Sequence, residues 1–209
     1  MPTQEDLKQA LEIALSTFRG KDPELQARNA GIPWGRARPE QGIPCASLFF
    51  LGKRYEILST GDINYCDSAE EPALWEKILL LHYFNRADGT PLTGRPISFS
   101  ELPEGRVYAP NFEKRVVSPL LQRYGPCPEE VVGPAQRLEA ARVEIGDLGL
   151  RIPLLPRVPV TLVFWKADAE FGPRLSVLFD SSVAHYLPTE DIVLSAQMMA
   201  LRLVSWGSR

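Results

Sequence analysis

Five carboxylates, Asp168, Glu170, Asp180, Glu190 and Asp191, fall within residues 156–191, interleaved with the apolar runs PVTLVFW and LSVLF. Such a set suits a hard cation such as magnesium or calcium, which takes six or more oxygen ligands; without one, carboxylates held close together raise one another's pKa. A hairpin loop carrying Asp168 and Glu170 and a strand end carrying Asp180 could converge on one edge of a sheet, so these three are the candidate metal ligands. The local alternative needs no ion. In it Asp168 closes a turn, Asp180 caps the bend begun by Ser181 and Ser182, and Glu190 and Asp191 face solvent in a first helical turn.

Imidazole chemistry must use one or both of the two histidines, His82 and His185. His82 lies in the apolar run LLLHYF, where it is either a hydrogen-bonded core residue or an axial ligand to a tetrapyrrole iron or cobalt. His185 follows Asp180 and two serines, but the spacing is too short for a Ser-His-Asp hydrolase and no G-x-S-x-G elbow is present. With Trp165, which ends the run VTLVFW, the two histidines are the candidate cofactor-binding residues. Arg151, Arg157 and Arg174 flank the same strands and can pair with the carboxylates or meet an anionic ligand. Arg36 and Arg38 beside Trp34 form a second such set, which a solvated loop explains equally.

Composition narrows the partners. A formal charge of -3 and a pI near 5.5 argue against a nucleic-acid surface, which needs a basic face or a dense Lys/Arg stripe. No apolar run of about 18 residues exists to cross a bilayer, and the opening MPTQEDLKQ lacks the order of a signal peptide, so a cytoplasmic protein is expected. Cys45, Cys66 and Cys127 are odd in number and form no C-x-x-C pair, so they read as reduced thiols. No phosphate-binding or dinucleotide-binding glycine motif appears, and no cofactor is specified.

The elements that must position these groups follow from periodicity. A helix is expected over 4–19, with Thr3 and Asp6 as a capping box and Gly20 as its stop; a shorter one follows Asp22 and Pro23. Residues 31–45 read as loop. SLFFL, RYEIL and DINY read as an antiparallel meander with Gly52-Lys53 as its first turn. Ser68 and Glu71 suggest a second capping box, ahead of the apolar helix LWEKILLLHYF. The strand RPISF comes next, then a helix on which Phe112, Val116, Leu120 and Tyr124 are four apart and Pro119 imposes a kink. AQRLEAARV reads as helix, EIGDLGLRI, PVTLVFW and LSVLF as strands, and Thr189 to Leu203 as a terminal helix. Strands and helices come in clusters, which favours an α+β fold: antiparallel sheet regions, helices on one side and a long C-terminal helix. At 209 residues one domain is expected, with a lobe boundary near 125–134, where Pro and Gly cluster.

PRVPVTLVFWKADAEF, SVLFDSS and YLPTED before a terminal helix resemble the C-terminal signature of an uncharacterised bacterial and archaeal domain-of-unknown-function family. FFLGKRYEI, ILLLHYF, GTPLTGRPISFSELPEGRVY and the helix from Phe112 to Tyr124 resemble it in the same order, so the likeness covers residues 46–205. The resemblance implies an anaerobic setting, and fusion in some members to a small four-cysteine iron–sulfur domain of the sort seen in corrinoid proteins. The three cysteines here have the wrong number and spacing for that domain, and no catalytic residue is implied. Three readings follow. The first is an accessory module of anaerobic one-carbon or metallocofactor metabolism, holding a small anionic or tetrapyrrole-like ligand or a partner protein. The second is a divalent-cation enzyme built on Asp168, Glu170 and Asp180. The third is a structural subunit that packs its Trp165, Phe171 and Phe179 region on a partner.

Overall fold

The computed structural model describes residues 3–36 and 43–207. The chain folds as two compact units. One comprises Met1–Pro91 with His185–Pro188, the other Leu92–Ala184 with Thr189–Arg209. The α+β architecture holds: both sheets are antiparallel and the chain ends in a long helix. Residues 125–134 lie inside the second unit.

In the first unit α1 (Gln4–Arg19) starts at the expected box, with the Asp6 amide donating to Thr3 Oγ1 and the Thr3 amide to Asp6 Oδ2. Asp22 caps α2 (Pro23–Asn29) through the Glu24 and Leu25 amides. The expected loop at 31–45 contains an edge strand, β1 (Trp34–Arg36), which pairs with β2 (Pro44–Phe50). The meander continues through β3 (Lys53–Leu58) and β4 (Ile63–Tyr65). Its first turn is one residue earlier than expected: Phe50 pairs with Lys53, so Leu51 and Gly52 are the turn residues, with φ of 49° and 81°. Positive φ at both positions is the requirement of a type I′ hairpin turn, whose twist matches the strands, and here only the second residue is glycine. Register places Ala46, Leu48, Phe50, Tyr55, Ile57, Ile63 and Tyr65 on the buried face of this sheet.

Helix α3 (Leu74–Arg86) begins at Ala73, whose amide donates to Glu76 Oε2; the Ser68 hydroxyl instead accepts the Glu70 amide. Residues Leu79 to Leu81, Tyr83 and Phe84 are all buried, as a helix apolar on nearly every side must be. Phe84 packs on Phe18 of α1 at 5.2 Å between ring centroids, and Gln26 of α2 donates to the Phe84 and Asn85 carbonyls.

The second unit is built on a five-stranded sheet in the order β5-β9-β8-β7-β6. Its strands are β5 (Pro96–Ser98), β6 (Ala141–Val143), β7 (Leu148–Leu155), β8 (Val158–Trp165) and β9 (Arg174–Asp180). Register aligns Leu150, Leu162 and Val177 in one row, and Leu148, Phe164 and Leu175 in another, on a face that is buried throughout. The opposite face carries exposed Arg151 and half-buried Thr161, Ser176 and Leu178. A sheet covered on one face alternates in this way, so the helices pack on one side.

Those helices are α4 (Gly105–Phe112), α5 (Ser118–Tyr124), α6 (Val132–Gln136) and α7 (Thr189–Gly207). Between α4 and α5 lies a π-helical turn, Glu113–Val117, so residues 105–124 form one continuous helical run. Pro119, the expected site of a kink, cannot donate the i→i−4 bond, and the wider π-helical turn lies immediately before α5. Phe112, Val116, Leu120 and Tyr124 are buried as their spacing requires. Phe112 stacks on Phe99 at 4.3 Å, and the Tyr124 hydroxyl donates to the Leu203 carbonyl at 2.6 Å. The helix expected at AQRLEAARV is cut short at Gln136, and Ala141–Val143 pairs with Gly149–Arg151 instead. Among the described residues no helix is long and apolar enough to cross a membrane.

Candidate functional site

Asp168 accepts the Glu170 and Phe171 amides at 2.8 and 2.7 Å in the loop after β8, and these bonds hold its carboxyl below the ordinary value. Glu170 is exposed in the same loop. Asp180 ends β9, a strand of seven residues or about 20 Å, whose other end adjoins that loop. The candidate metal set is therefore not assembled. No group of three or more His, Cys, Asp or Glu side chains with metal-binding geometry occurs among the described residues. Glu190 and Asp191 lie in the first turn of α7, where negative charge complements the helix dipole, and the Tyr108 hydroxyl lies 3.5 Å from Glu190.

Asp180 is 7% exposed and both of its oxygens accept hydrogen bonds. Oδ1 accepts the amide and hydroxyl of Thr93, each at 3.0 Å, and the amide and hydroxyl of Ser182 at 3.0 and 2.7 Å; Oδ2 accepts the Gly94 amide at 2.8 Å. Burial alone pushes this carboxyl upward, but the donors from Ser182 and Thr93 outweigh it and bring it down to about 2. The group is a clamp between the loop before β5 and the end of β9, with four donors on Oδ1 and one on Oδ2.

Trp165 is half-buried at the end of β8, with Arg174 5.8 Å from its ring. Together with Glu113, Val117 and Leu121 these residues line an open pocket of about 460 Å³. His82 is half-buried within α3 and belongs to the first unit, Trp165 to the second. Trp34 and Arg36 lie in β1, while Arg38 falls outside the described residues.

The third cofactor candidate, His185, is set in a defined arrangement inside the first unit. Its Nδ1 lies 2.7 Å from Asp88 Oδ2 and 3.2 Å from Thr90 Oγ1, and the Thr90 amide donates to Asp88 Oδ1 at 2.9 Å. The Thr90 and His185 hydrogen bonds hold the Asp88 carboxyl at about 2. Next in sequence, Tyr186 is fully buried, its hydroxyl donates to the Thr90 carbonyl and its ring lies 6.0 Å from that of Tyr83. Tyr186 thus anchors the backbone that carries His185. With Nδ1–H directed to an ionised carboxylate, Nε2 is the ring nitrogen that carries the lone pair, on a half-exposed side chain. Asp88 and Thr90 escape a sequence reading because they lie 97 and 95 residues from His185; the Asp-Gly-Thr turn is the one local trace.

Fold and site together define a mixed α+β protein with an oriented surface imidazole and, among the described residues, no group of three or more side chains that could hold a metal. The chain belongs to the family described as Domain of unknown function (DUF3786), whose match spans residues 22–202. No curated protein and no solved structure matches it.

Proposed function

We propose that this protein is an accessory module that uses His185 to bind a metal-containing or anionic ligand. A single observation supports the reading: the 2.7 Å contact between Asp88 Oδ2 and His185 Nδ1. Metal-ligating histidines ordinarily give their second ring N–H to a carboxylate, which fixes the tautomer and raises the basicity of the ligating nitrogen. Asp88 is already ionised well below neutral pH, so the imidazole is oriented before a ligand arrives. Because the ring is half exposed, it suits a group presented to it from outside, such as the open face of a tetrapyrrole metal or a cofactor carried by a partner. The anaerobic setting that the resemblance implies, with fusion in some members to an iron–sulfur domain of the sort seen in corrinoid proteins, favours a ligand drawn from one-carbon or metallocofactor metabolism and met in the cytoplasm.

Titration of the full chain with aquocobalamin and with haemin, followed by absorbance, tests the reading. Axial ligation by His185 shifts the visible bands; His185→Ala abolishes the shift, and Asp88→Asn weakens binding by about 10- to 100-fold. A shift that persists in His185→Ala points to a different ligating residue. No shift with either pigment, and no metal or pigment carried by protein purified anaerobically from its host, overturns the reading.

A further inference from the structure

A second constellation in the first unit lies at the β2–β3 hairpin. Lys53 Nζ donates to the Tyr65 hydroxyl at 2.7 Å and sits 4.1 Å from the centroid of its ring. The Tyr65 hydroxyl donates in turn to Glu76 Oε2 at 2.6 Å, and Tyr55 donates to Glu76 Oε1 at 3.0 Å. Glu76 is 3% exposed, and the Ala73 amide completes its set of donors. Burial, and then the Glu76 charge, push the Tyr55 phenol upward, so Tyr55 serves as a fixed donor and keeps the carboxylate supplied. The result is a directed hydrogen-bond chain, Lys53 to Tyr65 to Glu76, that runs from a surface amine into a buried carboxylate.

The amine end opens into a pocket of about 300 Å³ lined by Phe49, Lys53, Arg54 and Tyr65 together with the carboxylates of Asp67 and Glu70, a size that holds a small metabolite. Lys53 and Arg54 supply the cationic part of its lining. Lys77 is spent on an ion pair with Glu71, and Lys21 on the Asn85 carbonyl. Lys53, by contrast, is hydrogen-bonded through Tyr65 to a buried carboxylate at the wall of a cavity.

We propose that Lys53 is a nucleophilic amine that forms an imine with a small carbonyl compound bearing a carboxylate, of the 2-oxo acid class, whose carboxylate is taken by Arg54. The ammonium proton passes to the Tyr65 oxygen as the phenolic proton passes to Glu76. The amine lone pair then attacks the carbonyl carbon, the C–N bond forms as the C=O π pair moves to oxygen, and a proton passes from the nitrogen to that oxygen to give a carbinolamine. Glu76 returns its proton through Tyr65 to the departing oxygen, the C–O bond breaks, and water leaves the protonated imine. The net change is ammonium plus carbonyl to iminium plus water, and no further reactant is required. Lys53 is the group that touches substrate; Tyr65 and Glu76 act through it.

The test uses the full chain with glyoxylate and with pyruvate, each trapped by cyanoborohydride at several pH values and located by peptide mass mapping. The expected result is a saturable adduct concentrated at Lys53, absent in Lys53→Arg. Tyr65→Phe keeps the ring and is expected to slow labelling about tenfold with the half-saturating glyoxylate concentration unchanged, a split that loss of packing alone does not produce. Arg54→Gln lies outside the core; it is expected to raise the half-saturating glyoxylate concentration several-fold with the melting temperature unchanged, and so tests the site even where Tyr65→Phe destabilises the chain. Labelling spread over the lysines according to exposure overturns the proposal, as does labelling of Lys53 at the same rate and half-saturation in Arg54→Gln.

Discussion

Asp180 holds both the amide and the hydroxyl of Thr93 at 3.0 Å, across 87 residues of sequence, on the same carboxylate oxygen that binds Ser182. That convergence turns the sharpest metal-ligand candidate of the sequence into a structural clamp, and its consequence is measurable as stability.

The Asp180 carboxyl falls from 3.8 to about 2 on folding, a difference of about 2 kcal/mol at neutral pH. A depressed carboxylate contributes its stability above the unfolded value and loses it as pH falls through the folded one. The clamp is therefore fully present above about pH 4 and is lost toward pH 2. Asp180→Asn is expected to lower stability at pH 7 by about 2 kcal/mol, because an amide nitrogen then faces donors, and to flatten the acid limb of the urea midpoint against pH between those limits. An unchanged acid limb in the variant overturns the assignment.

Glu139 sits at φ 58° just past α6, where the Ala140 amide reaches back to the Ala135 carbonyl at 3.2 Å and the Glu139 amide to Gln136 at 3.0 Å. These are the two bonds of a Schellman cap, and the left-handed residue at its centre is usually glycine. The Glu139 side chain is exposed, so little packing is lost on its removal. Glu139→Gly is expected to stabilise the chain by about 0.5 to 1 kcal/mol, read as a rise of a few degrees in melting temperature. A fall in melting temperature sinks the argument.

The same segment shows where sequence reasoning stopped. AQRLEAARV has helical propensity throughout, yet Arg142 pairs with Leu150 in an edge strand, a tertiary gain that overrides a weak local preference. Where the signal is local, at the Thr3 and Asp22 caps or the buried row of Leu162, Val177 and Leu150, sequence and structure agree. The site divides in the same way. The turn at Asp168 and the bend at Asp180 were legible as local alternatives, whereas the Asp88 partner of His185 and the Lys53–Tyr65–Glu76 chain depend on pairings that no spacing announces.

The three thiols make the electrostatics of the first sheet testable. Cys127 is exposed, Cys66 is half-buried, and Cys45 on β2 is 4% exposed. Burial pushes both Cys45 and Cys66 upward, and the nearby Glu56 carboxylate adds to the shift at each. The thiolate is the reacting species, so a disulfide exchange reagent at pH 8 is expected to modify Cys127 first and Cys66 more slowly, and Cys45 only as denaturant opens the fold. Glu56 is itself 8% exposed, and its carboxylate accepts from the Asn64 amide group at 3.5 Å. Glu56→Gln removes the charge while keeping the shape, and is expected to speed modification of Cys66 several-fold with the Cys127 rate unchanged. A Cys66 rate that does not respond assigns its slowness to steric cover alone; equal acceleration of Cys127 assigns the effect to loosening of the fold.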